Sequence, residues 1–224
     1  MKMFPKVITG VIGMAAAFAL GTATTHANLL VNGDMESAGG FTANPITIAG
    51  VNMGWANNFG GYAPSQSTAY AESGTYSLLT QNTVGNNWNP VGTYQIVSGV
   101  IVGQTYTLTA WAYSTGYTTT SFAGSGPIDV QLQFLNSALG NITTTETGWS
   151  ALAVGAWTQY TVTAAAPAGA VYAAPYIMFM EANQTAADSV YFDNAALNAV
   201  PEPATVALLG LGLSLPIFAS RRRK

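Results

Sequence analysis

Apolar and polar side chains alternate one by one through much of the middle of this chain. In "YTLTAWAY", alternation puts Tyr106, Leu108, Ala110 and Ala112 on one face and Thr107, Thr109, Trp111 and Tyr113 on the other. In "DVQLQF", Val130, Leu132 and Phe134 oppose Asp129, Gln131 and Gln133. Period-two spacing is that of a strand with one face in a core. Further strands are predicted at Asn28 to Val31, Tyr76 to Gln81, Thr93 to Val97, Thr158 to Ala164, Ala173 to Met180 and Ser189 to Leu197, set apart by clusters of Gly, Pro, Asn and Ser. Gly39 to Ser67, rich in Gly, Asn, Ala and Pro, reads as a loop wrapped over them. Many short strands and no long 3.6-residue period predict an all-β fold, an antiparallel two-sheet β-sandwich.

The pattern changes at both ends. Lys2 and Lys6 precede an apolar run from Val7 to Leu20, and small and polar residues follow as far as Ala27. Charge, short apolar core and small residues at the break predict a signal peptide over residues 1–27, cut by signal peptidase after Ala27. The run is shorter than the ~20 residues of a spanning helix. At the other end Pro201, Glu202 and Pro203 are followed by the mostly apolar Ala204 to Ala219 and then by Arg221, Arg222, Arg223 and Lys224. At ~1.5 Å per residue that apolar helix reaches roughly 24 Å, short of a ~30 Å hydrocarbon core, as suits a temporary anchor. Under the positive-inside rule the cationic cluster stays cytoplasmic, which places residues 28–200 across the membrane. Membrane contact is thus expected only through the terminal segments.

Charge then narrows the function of residues 28–200. The chain has 6 Lys plus Arg, and all of them lie at its two ends; its one histidine is His26, and it has no cysteine. Between Asn28 and Val200 the only charged side chains are Asp34, Glu36, Glu72, Asp129, Glu146, Glu181, Asp188 and Asp193. An acidic domain without Lys or Arg cannot neutralise phosphates, which excludes nucleic acid as a partner. Serine nucleophiles lack an activating base, and zinc lacks its usual ligands. The one catalytic class that carboxylates alone could run is glycoside hydrolysis, and no pairing of them is legible, so the expectation is a protein that is not an enzyme.

The C-terminal arrangement of Pro-Glu-Pro, apolar segment and arginine cluster resembles the PEP-CTERM sorting signal of Gram-negative bacteria. The resemblance implies recognition by an exosortase, cleavage near Pro201 to Pro203, and delivery to the cell surface or outside the cell, in systems tied to exopolysaccharide and biofilm.

A second resemblance covers nearly all of residues 28–200. "NLLVNGDMES", "AESGTYSLL", "GQTYTLTAWAYS", "AWTQYTVTAAAPAG" and "VYFDNAAL" are similar, in order, to landmarks of the galactose-binding-like jelly roll of many carbohydrate-binding modules. The resemblance implies a structural calcium held by Glu36, the Asp34 carbonyl, Glu72, the Thr75 carbonyl and Asp193. Hard oxygens suit calcium, and carboxylates crowded without a basic residue need a cation. The alternative is that Asp34 and Asp193 cap turns while the glutamates are solvated.

Sugars stack on aromatic rings and are oriented by amides. With Tyr106, Leu108 and Ala110 turned inward, Trp111 and Tyr113 face outward, and they are expected beside Gln131 and Gln133, with Trp88 and Tyr94 near the "GNNWNP" turn as a rim. Trp55, Trp149 and Trp157 are as readily core residues. The sequence is therefore read as an exported, exosortase-processed surface or matrix protein whose sandwich binds surface polysaccharide without catalysis. A structural matrix protein with no soluble ligand, and behind it an acidic glycosidase, are the alternatives.

Overall fold

The computed structural model describes residues 27–37, 41–42, 55–58, 64–82, 90–117, 126–180 and 188–200, all within the unit Thr25–Glu202. The strands are β1 (Phe41–Thr42), β2 (Trp55–Asn58), β3 (Ser65–Ser67), β4 (Ser77–Gln81), β5 (Val91–Tyr94) and β6 (Val97–Ser98) in the first half. The second half holds β7 (Thr105–Tyr113), β8 (Ile128–Leu135), β9 (Asn141–Glu146), β10 (Thr158–Ala165), β11 (Tyr172–Phe179) and β12 (Ser189–Ala199). No helix occurs among the described residues.

Two sheets result. One runs β1-β2-β5-β11-β8-β9, with β6 also on β11; the other runs β10-β7-β12-β4-β3. All pairings are antiparallel except that of β1 with β2. The predicted alternation of β7 holds residue for residue: Tyr106, Leu108, Ala110 and Ala112 are buried while the side chains between them are half-exposed. They meet the inward residues of β8, Val130, Leu132 and Phe134, in one core with Leu78, Ile177, Phe179 and Phe192. Each such side chain removed from water contributes about 1.5–3 kcal/mol.

In β12 the inward residues change parity. Val190 and Phe192 face the core, and beyond a register shift between Asp193 and Ala196 the inward residues are Ala195 and Leu197. Asn194 absorbs the extra residue at φ 44°, a left-handed conformation that Asn tolerates better than most. Without this bulge strict alternation would turn Leu197 to the outside.

Two expectations need correction. Asn28 to Val31 is not a strand: the chain turns from Val31, and Asn32 has φ 51°. The Asn28 side chain takes over the pairing instead, donating to the Ala195 carbonyl at 2.8 Å and accepting from Leu197 N at 3.0 Å. The stretch Gly39 to Ser67 is not only loop, because β1, β2 and β3 lie in it and Trp55 is fully buried there. β9 was not expected either. Its "NITTTE" sequence is exposed or half-exposed throughout, as an edge strand without an apolar face allows.

Candidate functional site

Three groups of polar and aromatic side chains stand out, and the sheets decide which of them share a surface. The first surrounds the turn after Ala71. Asp193, fully buried by the bulge, accepts the N–H groups of Glu72 (2.8 Å) and Ser73 (3.2 Å) on Oδ2 and that of Asn194 (2.7 Å) on Oδ1. Glu36 Oε1 accepts from Thr75 N at 2.9 Å and Tyr76 N at 2.8 Å. The Asn194 amide donates to Glu72 Oε2 and, at 2.8 Å, to Ser73 Oγ. Asp34 is exposed, and its Oδ1 accepts from Glu36 N at 3.4 Å. Gly74 lies under Glu36 at φ 67°, a left-handed conformation that favours glycine, and a Cβ there would press on the Glu36 carboxylate.

Glu36, Glu72, Thr75 and Asp193 are thus gathered at one turn, and their oxygens are hard donors of the kind calcium takes. Backbone N–H groups already oppose the charges of Glu36 and Asp193, the Asn194 amide opposes that of Glu72, and as they stand no three acidic side chains among the described residues are close enough to hold a metal without moving. Burial pushes the Asp193 carboxyl above its ordinary range, with the charge of Glu72 adding to it, against the pull of the three N–H donors.

The second group covers the outer face of the β10-β7-β12-β4-β3 sheet. Tyr191 lies opposite Tyr113, and Trp111 lies two residues from Tyr113 on the same side. The Tyr113 ring is 4.6 Å from Tyr70, 5.3 Å from Trp157 and 6.3 Å from Tyr191.

The third group covers the outer face of the other sheet. Register places Tyr94 opposite Tyr176, Tyr176 opposite Gln131, and Gln131 opposite Glu146, a single row across β5, β11, β8 and β9. The two tyrosine rings stack at 4.9 Å with planes 11° apart. Gln131 Nε2 donates to Asp129 Oδ2 at 2.7 Å and to Glu146 Oε2 at 2.8 Å, and its Oε1 accepts from Gln133 Nε2 at 3.1 Å. Thr147 Oγ1 donates to the other Asp129 oxygen at 3.3 Å. Asp129 is 1% exposed. Burial raises its pKa against the hydrogen bonds from Gln131 and Thr147, and Glu146 is raised by burial and then by the charge of Asp129.

The structure therefore divides the expected ligand site. Trp111 and Tyr113 point away from one sheet, Gln131 and Gln133 away from the other, so they lie on opposite outer faces and not side by side. Both strands follow the same alternation rule, but that rule is silent about which sheet a strand joins. Trp88 lies outside the described residues, as do Pro201, Glu202, Pro203, Arg221, Arg222 and Arg223, the expected signal peptide up to His26 and the segment expected to form the C-terminal helix. Sequence reasoning put Asp129 on the face of the glutamines without giving it a part in their site, and it missed Tyr176 and Glu146 as their neighbours. The outward parity of Asp129 with Gln131 was a visible signal; the cross-strand register was not.

The architecture defines a class, an all-β two-sheet sandwich with aromatic and amide groups on its outer faces. Its C-terminal residues, 199–224, match the PEP-CTERM protein-sorting motif. No curated protein matches the chain. Among solved structures, it is similar to the enzymatically active domain of bacteriophage CBA120 tailspike protein 4 (TM-score 0.50, 14% identity, covering 77% of this chain and 21% of that one). It is also similar to the arabinose-bound α-L-arabinofuranosidase MgGH51 (TM-score 0.50, 18% identity, 80% and 27%). A third similarity is to TmCBM61 in complex with β-1,4-galactotriose (TM-score 0.46, 13% identity, 76% and 97%). This chain spans 21% of the tailspike chain and 27% of the arabinofuranosidase chain. At these identities the likeness is one of fold.

Proposed function

We propose that this is an exported protein, processed by signal peptidase at Ala27 and by an exosortase at its sorting motif. Its β-sandwich binds a neutral surface polysaccharide without cleaving it. The row Tyr94, Tyr176, Gln131, Glu146 carries this reading: a stacked aromatic pair offers an apolar platform, and the adjoining Gln131 amide is held in place by Asp129 and in turn accepts from Gln133. Tyr94 and Tyr176 are also raised in pKa by burial, so their hydroxyls stay protonated and able to donate. The acidic domain repels polyanions, which favours an uncharged glycan.

The same geometry supports binding over catalysis. Asp129 has one oxygen on Gln131 and the other on Thr147 and is nearly closed to solvent, the position of an organiser of amides more than of a group that meets a glycosidic bond. The outer aromatic group of Trp111, Tyr113, Tyr191 and Trp157 is a second contact surface in this proposal, on the opposite sheet. Titration of neutral polysaccharides into the exported protein and its Tyr176→Ala variant tests the assignment. Weakened binding by Tyr176→Ala supports it, and equal binding removes the row from the site.

A calcium ion held by Glu36, the Asp34 and Thr75 carbonyls, Glu72 and Asp193 is proposed separately. Acidic side chains drawn to one turn, with no Lys or Arg between residues 28 and 200, favour it.

A further inference from the structure

One end of the sandwich is uncharged, carries exposed aliphatic side chains, and is the place where the chain leaves for its sorting segment. Val200, the last described residue, donates its N–H to the Thr105 carbonyl at 2.8 Å, and its own carbonyl accepts from the Gln104 side chain. Gln104 ends a turn whose tip, Ile101 and Val102, is 65% and 53% exposed, the one adjacent pair of large aliphatic side chains so exposed among the described residues. Gly99 and Gly103, at φ 79° and 84°, flank that tip, and the Tyr106 hydroxyl accepts from Ile101 N at 2.9 Å, so the tip is built and held.

Two more turns lie alongside. Gly103 N donates to the Ala166 carbonyl at 2.8 Å, and Val171 N to the Leu135 carbonyl at 2.9 Å, which joins the 166–171 turn to the 136–140 turn. Val171 and Ile142 are each 38% exposed, and the Ile142 Cδ1 lies 3.8 Å from where a Cβ on Gly169 would stand. None of the residues in 99–104, 136–142, 166–171 and 198–200 is charged, and the seven carboxylates of the described residues, Asp34, Glu36, Glu72, Asp129, Glu146, Asp188 and Asp193, lie outside these segments. Exposed aliphatic residues concentrated on one uncharged end mark an interaction surface.

Chain length identifies the occupant. Only Pro201, Glu202 and Pro203 separate Val200 from the apolar run that starts at Ala204. Four virtual bonds at ~3.3–3.6 Å reach at most roughly 14 Å. While that run is embedded in a bilayer, Val200 and the turns bonded to it are held at the lipid surface. We infer that the Ile101–Val102 end of the sandwich is a membrane-contact surface, dipping its aliphatic tip into the lipid interface until the sorting segment is cut. This rests on the apolar segment being embedded, as the sequence leads one to expect, until the exosortase of the proposed function cuts it.

The absence of cysteine from the chain makes the test direct. The full chain carrying Val102→Cys, labelled with an environment-sensitive fluorophore, is incorporated in phosphatidylethanolamine–phosphatidylglycerol vesicles; Val154→Cys is the control. Val154 is 56% exposed and pairs with Ser114, beyond the far end of the nine-residue β7, roughly 30 Å away. The expected result is a blue shift and quenching by doxyl lipids at position 102, with quenching by iodide at 154. In the Ile101→Ser, Val102→Ser double variant a label at Val171→Cys should lose its blue shift while the melting temperature stays unchanged. Equal iodide quenching at 102 and 154 in floated vesicles overturns the inference, as does protection of 102 only when an exosortase is present. Failure of the chain to float with the vesicles overturns the embedded tail itself, and the inference with it.

Discussion

Gln131 hands its side-chain N–H groups to two carboxylates at once, Asp129 at 2.7 Å and Glu146 at 2.8 Å. Both carboxyls titrate above their ordinary values, burial being the larger cause in each. A carboxyl with a raised folded pKa binds its proton more readily in the native state, so stability falls as pH rises from the unfolded value through the folded one. We expect the melting temperature to rise on acidification from neutral pH toward the ordinary aspartate value of 3.8. Asp129→Asn should flatten this slope and raise the neutral-pH melting temperature. A slope equal to that of the wild type would remove Asp129 as its source.

The two aromatic faces should separate by mutation. Losing one stacked ring costs about 0.5–1.5 kcal/mol beyond its buried area, so Tyr176→Ala should weaken polysaccharide binding about tenfold. Trp111→Ala, on the other sheet, should leave that binding event unchanged and affect only binding at its own face. Calorimetric titration of both variants distinguishes the surfaces by stoichiometry.

Gly74→Ala should destabilise the domain by about 1–2 kcal/mol from its left-handed backbone alone, and more if the Glu36 carboxylate, which its Cβ would meet, keeps its place. Denaturant unfolding measures the loss. Stability equal to that of the wild type would show that the Glu36 contact with the Thr75 and Tyr76 amides yields freely.

Calcium at the Glu36, Glu72 and Asp193 turn should raise the melting temperature, chelation should lower it, and Glu36→Gln should abolish the difference. At a hundredfold excess over Kd the stabilisation is about 2.7 kcal/mol. Scanning calorimetry unaffected by calcium would leave these carboxylates as turn caps alone.

Phe134→Ala, which empties the centre of the core between the sheets, should cost about 3–5 kcal/mol by chemical denaturation.

The inward faces of β7 and β8 were legible before any coordinates, because alternation is a local property: Leu108 and Val130 face inward whatever lies opposite them. The sorting motif was legible for a similar reason, since its parts are contiguous from Pro201 to Lys224. Which sheet receives a strand is a non-local matter, settled by hydrogen-bond pairing between segments far apart in the chain. So the tertiary structure alone put Trp111 and Gln131 on opposite faces, set Tyr94, Tyr176 and Gln131 in one row, and turned Leu197 inward through the bulge at Asn194. It also drew Ile101, Val102 and Val200 together, by closing a turn against the last strand across about a hundred residues of chain, a contact that no local pattern encodes.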